Sequence, residues 1–362
     1  MHARSVSAAA IDDVTGEVWQ ARFDPDPVSA LAWVAGLPGP AAVAYEAGPT
    51  GYGMARAFDA AGVRCVVAAP SKMVRPAGDR VKTDTRDAML LARYLRLDEL
   101  TAVTVPSVEV EAARDLVRAR EDARGDLMRA RHRLSKLLLR HGEVYPATTT
   151  WGPAHLGWLR TVRRGAVWPA GTRVGFDEAH DAVLSVTARR DRLDAAIAEM
   201  AADSEFTAVT RRLCCLRGIS TLTGFALAVE IGDWSRFTGK TIGAFVGLAP
   251  GEHSSGESRR VGGITKTGNG HVRRLLVEAA FHHRPAYRVG KTMLDRWAAA
   301  SPQARDRGDA GNRRLHRQWV KFTAMNKRNQ IATTAVAREL AGWCWSLAVL
   351  DDTPTNAGDP MP

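Results

Sequence analysis

The first 70 residues alternate short apolar runs with helical stretches, and this order constrains the fold more than any other feature of the chain. Ser5–Ile11 (SVSAAAI) and Glu17–Phe23 (EVWQARF) are β-compatible runs joined by D-D-V-T-G, a turn cluster containing Gly, and read as a β-hairpin. Asp24–Pro27 break the second run, and Val28–Leu37 has helical spacing. Ala41–Tyr45 (AAVAY) is a short apolar run that ends at Glu46, ahead of the turn A-G-P-T-G. Met54–Ala61 is helical and Val63–Ala68 (VRCVVA) is a further buried strand. Strands alternating with helices after an antiparallel hairpin imply a mixed α/β sheet.

Beyond this point helices dominate. Pro70–Val81 is a loop rich in Pro, Gly and cations, and Lys82–Leu97 starts polar and becomes a helix. Glu109–His141 reads as one long helix, with Val110, Ala113, Val117, Leu127, Leu134 and Leu138 at spacings of three and four. Trp151–Gly175 is broken by Gly and Pro, and Asp177–Met200 resumes helical order. There Val183, Val186, Leu193, Ile197 and Met200 fit a seam of a and d positions that Arg190 interrupts. Three heptads leave a coiled coil and a helix packed on its own domain equally open. Leu213–Gly232 reads as a helix–turn–helix-like unit, Gly247–Gly270 as a Gly-rich loop, and His271 to about Ala335 as basic helices. Leu340–Leu350 is a buried helix end, and Asp351–Pro362 is a frayed tail.

A length of 362 residues accommodates two or three domains, and 45% hydrophobic with 25% charged residues excludes wholesale disorder. No apolar run reaches the roughly 18–20 residues that span a bilayer, and the N-terminus carries no visible secretory signal. Cys65, Cys214, Cys215 and Cys344 form no C-x-x-C pair, which excludes a zinc finger and a disulfide scaffold. Reduced thiols in a cytoplasmic protein without membrane contact are expected. The net charge is +11, and its placement matters more than its size. Residues 259–328 carry 17 Lys and Arg against 4 Asp and Glu, whereas the rest of the chain carries 33 against 35. Such local concentration points to a polyanion, nucleic acid first among them.

Two groups of residues could carry chemistry. Glu46 follows an apolar strand directly, where side chains of open α/β sheets emerge into a crevice. Asp84 and Asp87 stand three apart at a helix start and so share a face; ordinary capping and dipole compensation would account for them equally well. Clustered carboxylates of this kind bind Mg²⁺ and serve phosphodiester chemistry. The second group is the loop G-L-A-P-G-E-H-S-S-G-E-S-R-R-V-G-G-I-T-K-T-G-N-G-H-V-R-R, residues 247–274. It sets Ser254 and Ser255 before Gly256 and near Arg259, Arg260, Lys266, Arg273 and Arg274. A serine among cations can attack a phosphate, because the cations stabilise the developing charge; a loop that merely clasps phosphates would look the same. Upstream, Leu216–Glu230 (LRGISTLTGFALAVE) looks like a helix-hairpin-helix that offers N–H groups to DNA phosphates. The pair His282–His283 reads as a helix-surface or phosphate contact. Trp297, Trp319, Trp343 and Trp345 read as packing residues.

The motifs Y-E-A-G-P-T-G at 45–51, K-T-D-T-R-D-A at 82–88, F-V-G-L-A-P-G-E-H-S-S-G at 245–256 and G-I-T-K-T-G-N at 263–269 occur in an order and spacing that resemble the insertion sequence 110 family of transposases, the DEDD type with a RuvC-like nuclease domain. The resemblance covers most of residues 2–285. It implies an α/β RuvC/RNase H-like N-terminal domain over 1–146 and a helical coiled-coil linker over 147–208. A mainly α transposase domain follows over 209–335, with a helix-hairpin-helix-like element, the serine loop and basic helices. A C-terminal helix end and tail complete the chain over 336–362. By the match, Glu46, Asp84 and Asp87 correspond to metal-site acids for Mg²⁺, and Ser255 looks like the nucleophile, with Ser254 as its alternative. The resemblance also implies DNA as substrate and a homo-oligomer, dimer or tetramer, whose active sites join the nuclease domain of one subunit to the serine domain of another. Some relatives use a structured bridge RNA as guide.

The family begins with a strand ending in Gly-Ile/Leu-Asp-x-His, whereas here the chain starts M-H-A-R-S-V. The expectation is therefore that the first strand and the first catalytic Asp are missing, either because the start is placed too late, which is favoured, or because the copy is decayed. Asp12 and Asp13 are poor substitutes because they fall in the hairpin turn. The leading expectation is a Mg²⁺-dependent DNA transposase/recombinase with a serine nucleophile. The alternatives are a catalytically impaired nucleic-acid-binding remnant and a RuvC-like hydrolytic junction resolvase, which would need no serine.

Overall fold

The first two strands, β1 (Val6–Ile11) and β2 (Val18–Phe23), pair antiparallel from Val6↔Phe23 to Ile11↔Val18. Asp12 closes the turn: its Oδ1 accepts the Val14 and Thr15 N–H groups at 3.0 and 2.6 Å and the Thr15 hydroxyl at 2.9 Å. Asp26 caps α1 (Pro27–Ala35) by accepting the Ser29 N–H, with Pro27 opening the helix. β3 (Val43–Glu46), α2 (Gly53–Ala60) and β4 (Cys65–Ala68) form a β-α-β unit whose strands are parallel, Val43↔Cys65 to Glu46↔Ala68. Ala30, Val34, Tyr45, Met54, Phe58 and Val67 make its core. α3 (Asp84–Arg96) follows, and the chain then returns to β4 through an Ala68↔Ala102 bridge. The structure is a computed structural model that describes residues 4–73, 83–255 and 258–351, with the backbone alone for Ser71 and residues 253–261. Most of the expected loop at Pro70–Val81, Lys82, Gly256 and the tail from Asp352 lie outside these residues.

One expectation fails here. Among the described residues β1–β2 and β3–β4 are separate two-stranded ladders, not one mixed sheet. The hairpin pairs locally and the parallel pair is closed by α2, while β1 and β3 both border a cavity. The protein is thus mostly helical with small sheets.

The described residues divide into two compact units at Val108/Glu109. The second unit is built on two 33-residue helices, α4 (Val108–Arg140) and α6 (Ala170–Ala202), with α5 (Pro153–Gly165) between them. Ion pairs Arg120–Asp194 at 2.7 Å and Arg189–Asp126 at 3.4 Å set α4 and α6 antiparallel. Leu127, Leu134 and Leu138 share a core with Leu159, Phe176 and Val183. The apolar seam of α6 is therefore occupied within the same chain, by α4. Its start also lies earlier than the expected Asp177. Gly171 and Gly175 sit inside the helix, and Gly175 backs onto Leu137 of α4.

α7 (Thr207–Leu213) and α8 (Thr221–Ile231) flank a turn, and every residue from Gly224 to Ile231 is buried. α9 (Ile242–Phe245) leads to a hairpin of β5 (Pro250–Ser255) and β6 (Ser258–Ile264), where a Gly-rich loop was expected. The pairing there is carried by backbone, with no alternation of apolar residues to announce it. α10 (Gly270–Phe281), α11 (Lys291–Ala298), α12 (Pro302–Ala324) and α13 (Asn329–Ala348) complete the unit. Their core includes Leu276, Leu315, Trp319, Val336, Leu340 and Leu347. His283 is wholly buried, not a surface or phosphate contact as its sequence neighbourhood implied, whereas His282 is exposed. No helix among the described residues is long and apolar enough to cross a membrane. All four cysteines are free thiols.

Candidate active-site residues

In the first unit, the end of β3 delivers Glu46, half-buried, into a cavity of about 780 Å³. α3 starts beside the same cavity. Its cap Thr83 accepts the Arg86 N–H at 3.3 Å, which fixes the first turn and puts Asp84 and Asp87 on one face. All three acids border the cavity, with Trp33, Val34 and Leu91 among its apolar walls. Two motifs nearly 40 residues apart in sequence thus meet at one place. They do not form a closed cage: among the described residues no group of three His, Cys, Asp or Glu stands close enough to hold a metal ion. Mg²⁺ keeps several waters and takes only one or two carboxylates alongside substrate phosphates, and the donor chemistry of the three acids suits that mode. Asp12 and Asp13 also border the cavity but are engaged elsewhere, Asp12 in its turn and Asp13 with the Arg96 Nε at 3.2 Å.

In the second unit, β5 ends on Ser254 and Ser255. The ladder pairs Ser254 with Arg259, His253 with Arg260 and Ser255 with Ser258. The register therefore places two arginine positions directly across from the serine strand. Lys266 is exposed at the foot of β6, at φ +56°. Arg273 and Arg274 have internal partners. Arg273 Nη1 donates to the carbonyls of Thr267 at 2.8 Å and Val246 at 3.1 Å, clamping the base of the hairpin. Arg274 reaches Glu121 at 2.5 Å and Glu278 at 2.7 Å. Both were expected to hold nucleic acid; in the structure each already has protein partners, Arg273 through Nη1 and Arg274 through Nη1 and Nη2.

A buried network anchors this base. Asn269 caps α10, its Oδ1 accepting the N–H groups of His271 at 2.9 Å and Val272 at 3.1 Å, while its Nδ2 donates to Glu230 Oε2 at 2.9 Å. Glu230, whose side chain is 2% exposed, also accepts both Nε and Nη2 of Arg118 at 3.2 Å. Burial alone would raise its carboxyl, but hydrogen bonds from His271, Arg118 and Asn269 outweigh it and hold the pKa down to about 2. Gly268 sits at φ +68°, and a Cβ there would run into the carbonyl oxygen of Phe245. Hairpin, α4, α8 and α10 are thereby locked together. Sequence reasoning missed Glu230; its only signal was a lone carboxylate inside the apolar run F-A-L-A-V-E-I.

Comparisons with known proteins bear on both sites. A family model described as transposase, of the DEDD IS110 type, matches residues 1–142 and so contains Glu46, Asp84 and Asp87. The transposase model of the IS116/IS110/IS902 family matches residues 210–298, which contain the serine hairpin and the Glu230 network. The chain is 40% identical to the y4qE protein of Sinorhizobium fredii (strain NBRC 101917 / NGR234), named as a transposase, over 84% of this chain and 74% of that protein. It is 29% identical to the transposase for insertion sequence element IS1533 of Leptospira borgpetersenii, over 78% of this chain and 82% of the relative. It is 26% identical to the transposase for insertion sequence element IS1328 of Yersinia enterocolitica, over 84% and 83%. With its two halves matched in order and a relative at that identity along most of its length, the chain belongs to the IS110 family of insertion-sequence transposases.

Proposed function

We propose that this transposase breaks and rejoins DNA through Ser255, with the carboxylates Glu46, Asp84 and Asp87 serving as Mg²⁺ ligands. The observation that carries the reading is the meeting of these three acids, from separate motifs, on one cavity. In this reading residues 1–146 act as a RuvC-like nuclease domain, 147–208 as a helical linker, 209–335 as the serine-bearing domain and 336–362 as its C-terminal end. The Ser255 Oγ attacks a backbone phosphorus. A P–Oγ bond forms as the bond from phosphorus to one deoxyribose oxygen breaks, and the hydroxyl proton passes to that leaving oxygen. A free deoxyribose hydroxyl of the second DNA then attacks the phosphoserine, which restores Ser255 and joins the strands without net hydrolysis. Arg259, Arg260 and Lys266 hold the phosphates and offset the charge that develops on them. Bound Mg²⁺ would polarise the scissile phosphate. The assembly is a homo-oligomer, dimer or tetramer, working on DNA in the cytoplasm with a structured RNA as guide.

The test is covalent trapping on a nicked DNA substrate, read on a denaturing gel. Wild type and S254A are expected to form a protein–DNA adduct, and S255A to form none. Adduct from S255A would assign the nucleophile elsewhere. A second reading, a nucleic-acid-binding protein without turnover, is favoured by the open spacing of the acids. Mg²⁺-dependent strand exchange by the 362-residue chain would eliminate it.

A further inference from the structure

The serine hairpin is held at its foot. Ser255 ends β5, about 17 Å from Pro250 at the usual rise of a strand. Ile264, at the end of β6, packs against the apolar core. Further ties gather at the same end: the Thr265 N–H donates to the Ala249 carbonyl at 2.9 Å, and the Lys266 N–H to that of Gly247 at 3.1 Å. Gly247 lies at φ +69°, and a Cβ there would run into the Thr267 backbone. The two exits of the hairpin are thus packed backbone on backbone and move as one block. A tilt of that block by about 5° carries the far end of β5 through roughly 1.5 Å.

Asn269 joins this block to Glu230. It follows Gly268 directly, and its side chain works two ways: Oδ1 caps α10, and Nδ2 donates to Glu230 Oε2 at 2.9 Å. Glu230 is fixed in turn from α4, where Arg118 donates to both carboxylate oxygens at 3.2 Å, and from α10, where His271 Nδ1 lies 3.5 Å from Oε1. The Glu230 side chain is 2% exposed and stands in a helix whose last eight residues are all buried. Taking a charge out of water there is costly, and apolar residues commonly fill such a place with equal or better stability. What the carboxylate adds is direction, since three N–H donors converge on it at set angles.

We infer that Glu230, acting through Asn269, is a positioning residue that aims the Ser255 end of the hairpin at the scissile phosphate. The inference rests on the serine reading above and gives the buried foot of the hairpin a share in the reaction rate. Misplacing a reacting group by about 1 Å slows a reaction roughly a hundredfold, while DNA affinity, set by other contacts, stays in place. The signature is a loss of rate without a loss of binding. Asn269→Asp isolates the link. Asp caps a helix as well as Asn does, so α10 keeps its cap, but two facing carboxylates repel. Adding Glu230→Gln restores a hydrogen bond of opposite direction, in which the glutamine amide donates to the new carboxylate.

The experiment follows the full chain three ways: the rate of adduct formation on saturating nicked DNA, DNA affinity by fluorescence anisotropy, and hydrogen exchange of the β5–β6 amides. N269D is expected to slow adduct formation roughly a hundredfold at wild-type affinity, and E230Q/N269D to recover most of that rate. E230D, which keeps the charge but withdraws it by one methylene, should show the same split to a smaller extent. Exchange of the β5–β6 amides should quicken in N269D and slow again in the double variant. N269D and E230D at the wild-type rate, an N269D defect that E230Q leaves in place, or an affinity that falls in step with the rate overturns the inference. Wild type that forms no adduct sinks the serine reading itself, and the exchange arm then still decides whether the Glu230–Asn269 link holds the hairpin. Wild type that forms the adduct while N269D forms it equally fast sinks the positioning role alone.

Discussion

His283 shows how much a single buried side chain decides. It is wholly buried, and burial, reinforced by the nearby Arg217 charge, brings its pKa down from 6.5 to about 3. The folded protein therefore keeps it neutral where the unfolded chain would take up a proton. Its contribution is fully present above pH 6.5 and is lost as pH falls below that value, by about 2 kcal/mol at pH 5. The melting temperature should fall between pH 6.5 and 5, and H283L should flatten that dependence; an identical slope in H283L would place the acid sensitivity elsewhere. Nothing in H-H announces which of the two rings points inward, since both stand at the end of a basic helix. Glu230 is similar. The sequence marks it as a carboxylate in an apolar helix, but its partner Arg118 lies 112 residues away and becomes visible only once α4 packs on α8. Glu46, Asp84 and Asp87 were legible because strand end and helix start are local signals, whereas the distances among them are not.

At the level of elements, local rules give the β1–β2 hairpin, α1 to α3 and the extent of α4 to within a residue or two, because turn chemistry, capping and apolar spacing all agree there. They misplace the start of α6. Gly171 and Gly175 read as breakers, since glycine lowers helix stability by about 1 kcal/mol, yet tertiary packing overrides that preference. Phe176, at 0% exposure, sits with its ring 5.2 Å from that of Trp168, in the same core as Leu134 and Leu138 of α4. The missed turn of α6 thus holds the most buried aromatic of the helix pair. F176A should destabilise the second unit by about 3–5 kcal/mol, as a large-to-small core change does, read by denaturant unfolding followed through the α4–α6 helical signal. A change under about 1 kcal/mol would mean that the packing here is loose. The β5–β6 hairpin was hidden for the opposite reason. Its strands hold serines, arginines and glycines with no apolar face, and only backbone register reveals them.

Among the described residues three clusters of buried apolar side chains form, and each lies within one of the two units. The first unit has the thinner core: seven buried residues form its cluster, α3 contributes none that is fully buried, and its strands stand as two separate pairs beside a cavity of about 780 Å³. Two-stranded ladders are marginal by themselves, and a small unit buries a smaller fraction of its surface. The second unit joins two clusters through α4 and α6 and is tied further by the Glu230 network. Calorimetry of the full chain should therefore give two transitions, the first unit melting at the lower temperature. A fragment of residues 109–362 should retain the upper transition, with its midpoint within a few degrees of that in the full chain. One cooperative transition for the whole chain, or a fragment 109–362 that fails to fold, would mean that the two cores depend on each other and that the acids of the first unit are held in place by more than their own sheet pairs and helices.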